Sequence, residues 1–507
     1  MLRARGLVLL MVCTVFGKVL FFCAACLAYL AAPATQALAA EHGHHDFARL
    51  KTTDMGEPGM ALAMASGHDA QADKQTTVIL KRQVPIRFGE APRSWLGGLP
   101  MMPESVAWPR AGDGAPLHFI AQIDCADLPI NLWNGLGPHN GWLLLFVEVL
   151  QLEDLSADGA VQVLHIDQLG AERQPPEDMS TVRHSMSDLI GYKAEFRPGV
   201  PKMWRRWPVD LVAQEYTPSD EEEGPPPVSG EELYEVPVSK WGMGSYEPDG
   251  KHPLTWRGAL YFVEGIIRDY KRENFVQRHN AEEWRTYTIP KHDLDAPLGD
   301  SDQNWFEHTF HVDSPEEKRP HTDQHLTWRE VRHFIESMLR DLDRQGSPKW
   351  NFAEETMKRI LAQDLDAPLI DADWQAIEAT CRAKITEAGA PRIFIKPHLK
   401  MAVREDLIDA YVRASGTGPA VPKALLPDVE ARLRSIYENR PHRMGGQPGR
   451  IQPDSGPVPH GALLFQMGSD DAMGWSWGDA GALYVSVSPD DLRQDRFDRV
   501  RGWLEGY

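Results

Sequence analysis

Four times in this chain a glycine stands directly before a short run of apolar, β-prone residues. Gly141 precedes 142–146, Gly258 precedes 259–263, Gly461 precedes 462–466 and Gly481 precedes 482–486. Glycine allows the tight turn that feeds a strand, so each site predicts the start of a β-strand. Two readings follow. Either a β subdomain is duplicated, or four independent turns look alike because any turn into a strand does.

Helical signals fall in the later half. Thr327 and Glu330 form a capping-box pattern. Val331, Phe334, Ile335, Met338, Leu339 and Leu342 follow at three-to-four spacing, which marks one buried helix face. Segments 371–387, 401–414 and 425–439 are further amphipathic candidates. Strands in two clusters with helices between them predict an α+β fold rather than a regular βαβ alternation.

Apolar residues make up 42% and charged residues 25%, enough for a packed core. The net charge of −20 excludes general binding to a phosphate backbone, which needs a basic footprint. No nucleic-acid partner is expected. Of five cysteines, Cys13, Cys23 and Cys26 lie in the N-terminal apolar stretch. Only Cys125 and Cys381 belong to the body, too few for a disulfide framework.

Arg3 and Arg5 precede a long apolar run, and Ala37 and Ala39 form a small-x-small cleavage pattern. Residues 1–39 therefore read as a signal peptide or a transmembrane anchor, and the membrane is contacted only there. That places the protein in the cell envelope. A start codon at Met55 or Met60 would instead leave it in the cytoplasm. Residues 40–77 read as a polar, flexible stalk, and the folded body as 78–507. Within the body, 217–232 is an acidic, Pro-rich loop and 327–439 is the helical region.

The strongest chemical candidate is the turn that carries Asp470, Asp471, Trp475, Trp477 and Asp479. Adjacent acids can bind a divalent cation or a cationic ligand, and tryptophans can add a cation–π wall. The same residues also make ordinary turn and core chemistry. His308, His311, His321 and His325 have spacings that zinc sites use, provided one element presents them together. No phosphate loop or His-Glu-x-x-His is present.

Three patches carry a resemblance. The first holds Trp95 to Pro100, Trp108-Pro109, Phe119 to Asp124 and Gly141 to Phe146. The second holds His442, Gly445, Ile451 and Gln452, with Gly446 where an aromatic residue is common. The third is 463–507, closing on Asp495 to Arg499. In this order they resemble the YwqG-like family of bacterial proteins of unknown function. The resemblance implies an α+β fold with a β-rich core and helical insertions, the glycine echo leaves open that this core is built from two related sheet subdomains, and neither identifies a reaction or a cofactor. His442 and Gln452 join the ligand-binding candidates on this basis. The expected role is a binding module for an unidentified small ligand or protein. The alternative is a metal-dependent hydrolase that uses the acidic turn.

Overall fold

The computed structural model describes residues 74–149, 155, 159–182, 201–217, 252–310, 325–345, 351–388, 395–434, 442–452, 461–478 and 481–506. The leader, nearly all of the stalk, the loop beyond residue 217, His311, His321 and Asp479 lie outside them. The strands are β1 (Gln75–Arg82), β2 (Trp95–Leu96), β3 (His118–Asp124), β4 (Trp142–Val147), β5 (Val161–Ile166), β6 (Trp207–Tyr216), β7 (Ala414–Ser415), β8 (Gly418–Pro419), β9 (Arg443–Gly445), β10 (Ala462–Gly468), β11 (Ala482–Val487) and β12 (Arg501–Glu505). The helices are α1 (Trp256–Glu283), α2 (Asp300–Phe310), α3 (Trp328–Gln345), α4 (Asn351–Leu361), α5 (Asp371–Ala388), α6 (Ile395–Val412), α7 (Leu426–Arg434) and α8 (Pro489–Arg493). β1 thus takes in three residues that the sequence pattern assigns to the stalk. Thr76 and Thr77 are buried in it.

Ten strands form one antiparallel sheet in the order β12-β11-β10-β9-β1-β6-β2-β3-β4-β5. Its two edges meet at Gly502 and Val161, where a Cβ on Gly502 would lie 2.3 Å from the valine methyl. The sheet is therefore nearly closed, and its edges shield each other from further pairing.

The sheet is two copies of one five-stranded unit. β2-β3-β4-β5-β6 match β9-β10-β11-β12-β1 strand for strand. In each copy two glycines with positive φ stand where the short first strand ends, at 57° and 69° for Gly97 and Gly98 and at 69° for both Gly445 and Gly446. A proline comes two residues later, Pro100 or Pro448. Gln122 on β3 and Gln466 on β10 then fasten the following loop, accepting the amides of Met101 and Gly449, each at 2.9 Å. Both second strands shift register at the same point, Phe119/Ala121 and Leu463/Phe465. Gly141 and Gly481 accept from Cys125 and Ser469, again at 2.9 Å each. The duplicated β-rich core is thus present. The second copy takes its closing strand, β1, from ahead of the first copy, and β1 pairs along its full length with residues 209–216 of β6.

Gly258 does not open a strand. Residues 256–283 form α1 instead, with Leu260, Phe262, Val263 and Ile266 all buried. A short apolar run cannot by itself separate a buried strand from a buried helix. Here the apolar pattern continues past Ile266, and helices α4, α5 and α6 cover it. The helical region therefore begins at Trp256 rather than at residue 327. It contains its own repeat. Leu254-Thr255-Trp256-Arg257 recurs as Leu326-Thr327-Trp328-Arg329, and Asp293 to Leu298 recurs as Asp364 to Leu369. In each unit the two strings bond alike. Arg257 donates from its amide to Leu365 and from its guanidinium to Asp366, as Arg329 does to Leu294 and Asp295. The Thr327–Glu330 capping box is made as expected. α6 and α7 pack their apolar faces into the core of the sheet, through Val403, Leu407, Tyr411, Val429 and Leu433.

A Cβ at Gly481 would sit 1.8 Å from the Glu505 carbonyl oxygen, and one at Gly141 2.4 Å from that of Ile166. Gly481→Ala and Gly141→Ala should each cost about 2–4 kcal/mol in urea unfolding, because backbone must move. Gly114 has φ +88° and open space around it. Gly114→Ala should cost only about 1 kcal/mol, the strain of the backbone alone.

Candidate functional site

Where two copies share a backbone, the side chains that differ are the ones free to do something else. Ser94 and His442 occupy the same place, just before the first strand of each copy. The Ser94 hydroxyl accepts the Asp124 amide at 2.9 Å, and His442 Nδ1 accepts the Gly468 amide at 3.2 Å. His442 reaches further than serine can. With Nδ1 accepting, its proton sits on Nε2 and is donated to Asp470 Oδ2 at 3.0 Å. Arg82 of β1 meets the same oxygen through Nε at 3.0 Å. Asp470 Oδ1 accepts the amides of Ala472 at 2.8 Å and Met473 at 3.3 Å.

Arg82, His442 and Asp470 are all buried. Burial opposes ionisation of Asp470, but the Arg82 charge and the His442 hydrogen bond outweigh it and hold the carboxyl down to about 2. Arg82 also donates to the Leu433 carbonyl at 3.2 Å and lies 4.6 Å above the Trp207 ring. The triad thus ties β1, the C-terminal turn and α7 together.

Beside it runs a second charged seam. Arg205, just ahead of β6, donates to Ala472 O at 2.7 Å and pairs with Glu405 at 2.5 Å and Asp409 at 2.9 Å on α6. Tyr261 of α1 donates to Asp409 at 2.5 Å. Arg404 pairs with Glu405 at 3.2 Å and with Asp471 at 3.3 Å. Sequence reasoning missed Arg82, Arg205, Arg404, Glu405 and Asp409. They come from distant segments and no local motif marks them.

The expected candidates divide accordingly. Asp470, Trp475, Trp477 and His442 are brought together, all in the core. Trp475 packs edge-on against His442 at 5.3 Å and against Trp204 at 6.0 Å, and Trp477 donates to Gly468 O at 3.1 Å. Asp471 alone of the described turn acids reaches the surface, 55% exposed. Gln452 lies elsewhere, donating to Gly506 O at 2.7 Å at the end of β12. The four histidines do not assemble as far as they are described. His325 pairs with Asp300 at 3.2 Å and donates from Nδ1 to Leu298 O, while His308 lies exposed on α2. Among the described residues no group of three metal-ligating side chains converges. Cys125 and Cys381 are buried free thiols, and burial pushes both up to about 12, well away from thiolate chemistry.

The deciding match is to a family spanning residues 94–505, from Ser94 at the head of the first copy to Glu505 at the end of the second. The chain belongs to the domain of unknown function family DUF1963. No curated protein matches it. The DUF1963 span leaves out β1, although β1 supplies Arg82 and the closing strand of the second copy. Among the described residues of this DUF1963 protein, no helix is long and apolar enough to cross a membrane.

Asp470→Asn should destabilise the DUF1963 domain by about 3–5 kcal/mol, because it strands the buried Arg82 charge. The wild-type carboxyl sits at about 2 against an ordinary 3.8. Its stabilisation is therefore complete above pH 4 and lost as the pH falls through 2, about 2 kcal/mol in all. Urea midpoints from pH 5 down to pH 2, compared between wild type and Asp470→Asn, check both values.

Proposed function

We propose that this DUF1963 domain is a binding module of the YwqG-like type, serving a small ligand or a protein partner, rather than a metal-dependent hydrolase. One observation carries the reading: both oxygens of Asp470 are used up inside the fold, by Arg82, His442 and two backbone amides. A catalytic metal needs carboxylates with open positions. A partner arriving at this turn meets the Asp471–Arg404 pair at the surface, with Trp475 and Trp477 behind it in the core. The net charge of −20 argues for a partner other than nucleic acid. With its leader, the module belongs to the bacterial cell envelope, held there or released through the N-terminal segment.

Calorimetric titration with Mg²⁺, Mn²⁺, Zn²⁺ and Ca²⁺, one at a time, tests the choice on wild type, Asp471→Asn and Asp479→Asn. The expected outcome is no stoichiometric binding and no change in Tm with any cation. One-to-one binding that disappears in either variant would overturn the reading in favour of the hydrolase.

A further inference from the structure

Asp406 is a buried carboxylate that takes no part in the acidic turn or its seam. It stands on α6, 1% exposed, against the start of α1. Its Oδ2 accepts the Thr255 amide at 2.9 Å and its Oδ1 the Thr255 hydroxyl at 2.5 Å. In the second helical unit the equivalent amide and hydroxyl of Thr327 go to Glu330, at 2.7 and 2.9 Å. Glu330 lies in the same helix as the groups it caps, and it is exposed. Its counterpart in the first unit is Gly258, where a Cβ would come within 2.8 Å of the Asp406 carboxyl. One helix is therefore capped locally in solvent. The other is capped by a different helix, in the core, through a gap that glycine leaves.

We infer that Asp406 is a pH-sensitive latch whose ionisation loosens the hold of α6 on the start of α1. The charged neighbours are committed elsewhere. On α1, Arg257 pairs with Asp366, and Tyr261 donates to Asp409. Glu264 is buried farther along the same helix. His252, ahead of α1, pairs with Asp371. Arg205 holds Glu405 and Asp409, the acids flanking Asp406 on α6. Among the described residues no cation pairs with Asp406. Burial outweighs the Thr255 bonds and pushes its carboxyl up to about 6. The closed state thus holds a proton at pH 5 that it has lost by pH 8. An opened latch, with the carboxyl in water at its ordinary 3.8, has released that proton at both. Opening is therefore favoured as pH rises, by about tenfold between pH 5 and pH 8.

Hydrogen exchange on the full chain, corrected for the intrinsic rate, reads this directly. Protection at the amides of Trp256, Arg257 and Ala259 should fall about tenfold from pH 5 to pH 8. The equivalent amides of Trp328, Arg329 and Val331, capped by Glu330, should stay level. Asp406→Asn should abolish the difference. Equal pH dependence at the two helix starts, or a tenfold fall that survives in Asp406→Asn, overturns the latch. If Asp406→Asn fails to fold, the comparison of the two starts within the wild type decides alone.

Discussion

The buried pair between Arg82 and Asp470 fastens the first described strand to the turn between β10 and β11. β1 has no local reason to lie beside β9, since some 360 residues separate them. Backbone pairing alone would leave its register open to slippage. A guanidinium on β1 that must meet one buried carboxylate fixes that register, because a shift would strand two charges in the core. His442 then fixes the carboxylate's direction, and the Trp207 face covers the guanidinium.

This fastening explains how a duplicated sheet tolerates an unusual order. Five strands repeat, yet the second copy finishes with a strand from the front of the chain. In both copies the glycine pair, the following proline, the anchoring glutamine and the register shift are kept, because each answers a backbone demand that symmetry repeats. Ser94 and His442 mark where the copies part. Serine satisfies one amide, while histidine satisfies the same amide and orients Asp470 as well. The helical insertion follows a similar logic. Its two units keep the Thr-Trp-Arg and Asp-Leu-Asp-Ala-Pro-Leu strings, and they differ in where the capping carboxylate comes from.

Some of this was written plainly in the sequence. The glycines before β4, β10 and β11 mark real strand starts, because turn geometry is a local demand. The Thr327 capping box and the helix at 371 were legible for the same reason: their bonds join residues a few positions apart. The two Gly-Gly-x-Pro strings and both helical strings can also be seen by comparing the chain with itself. Gly258 misled, because in α1 the glycine is needed for close approach of Asp406 rather than for a turn.

The sequence by itself therefore determined the α+β class, the starts of several strands and helices and the turn where acids and tryptophans gather, and it left open whether the β-rich core is duplicated. Only the tertiary structure decided what those acids do. A carboxylate before a turn looks the same in sequence whether it is open to a cation or closed by partners. The difference lies with Arg82, Arg205 and Arg404, which reach the turn from distant segments once hydrophobic burial has brought β1, β6 and α6 together. Such long-range pairings follow from the packing of the whole core, and no spacing along the chain encodes them.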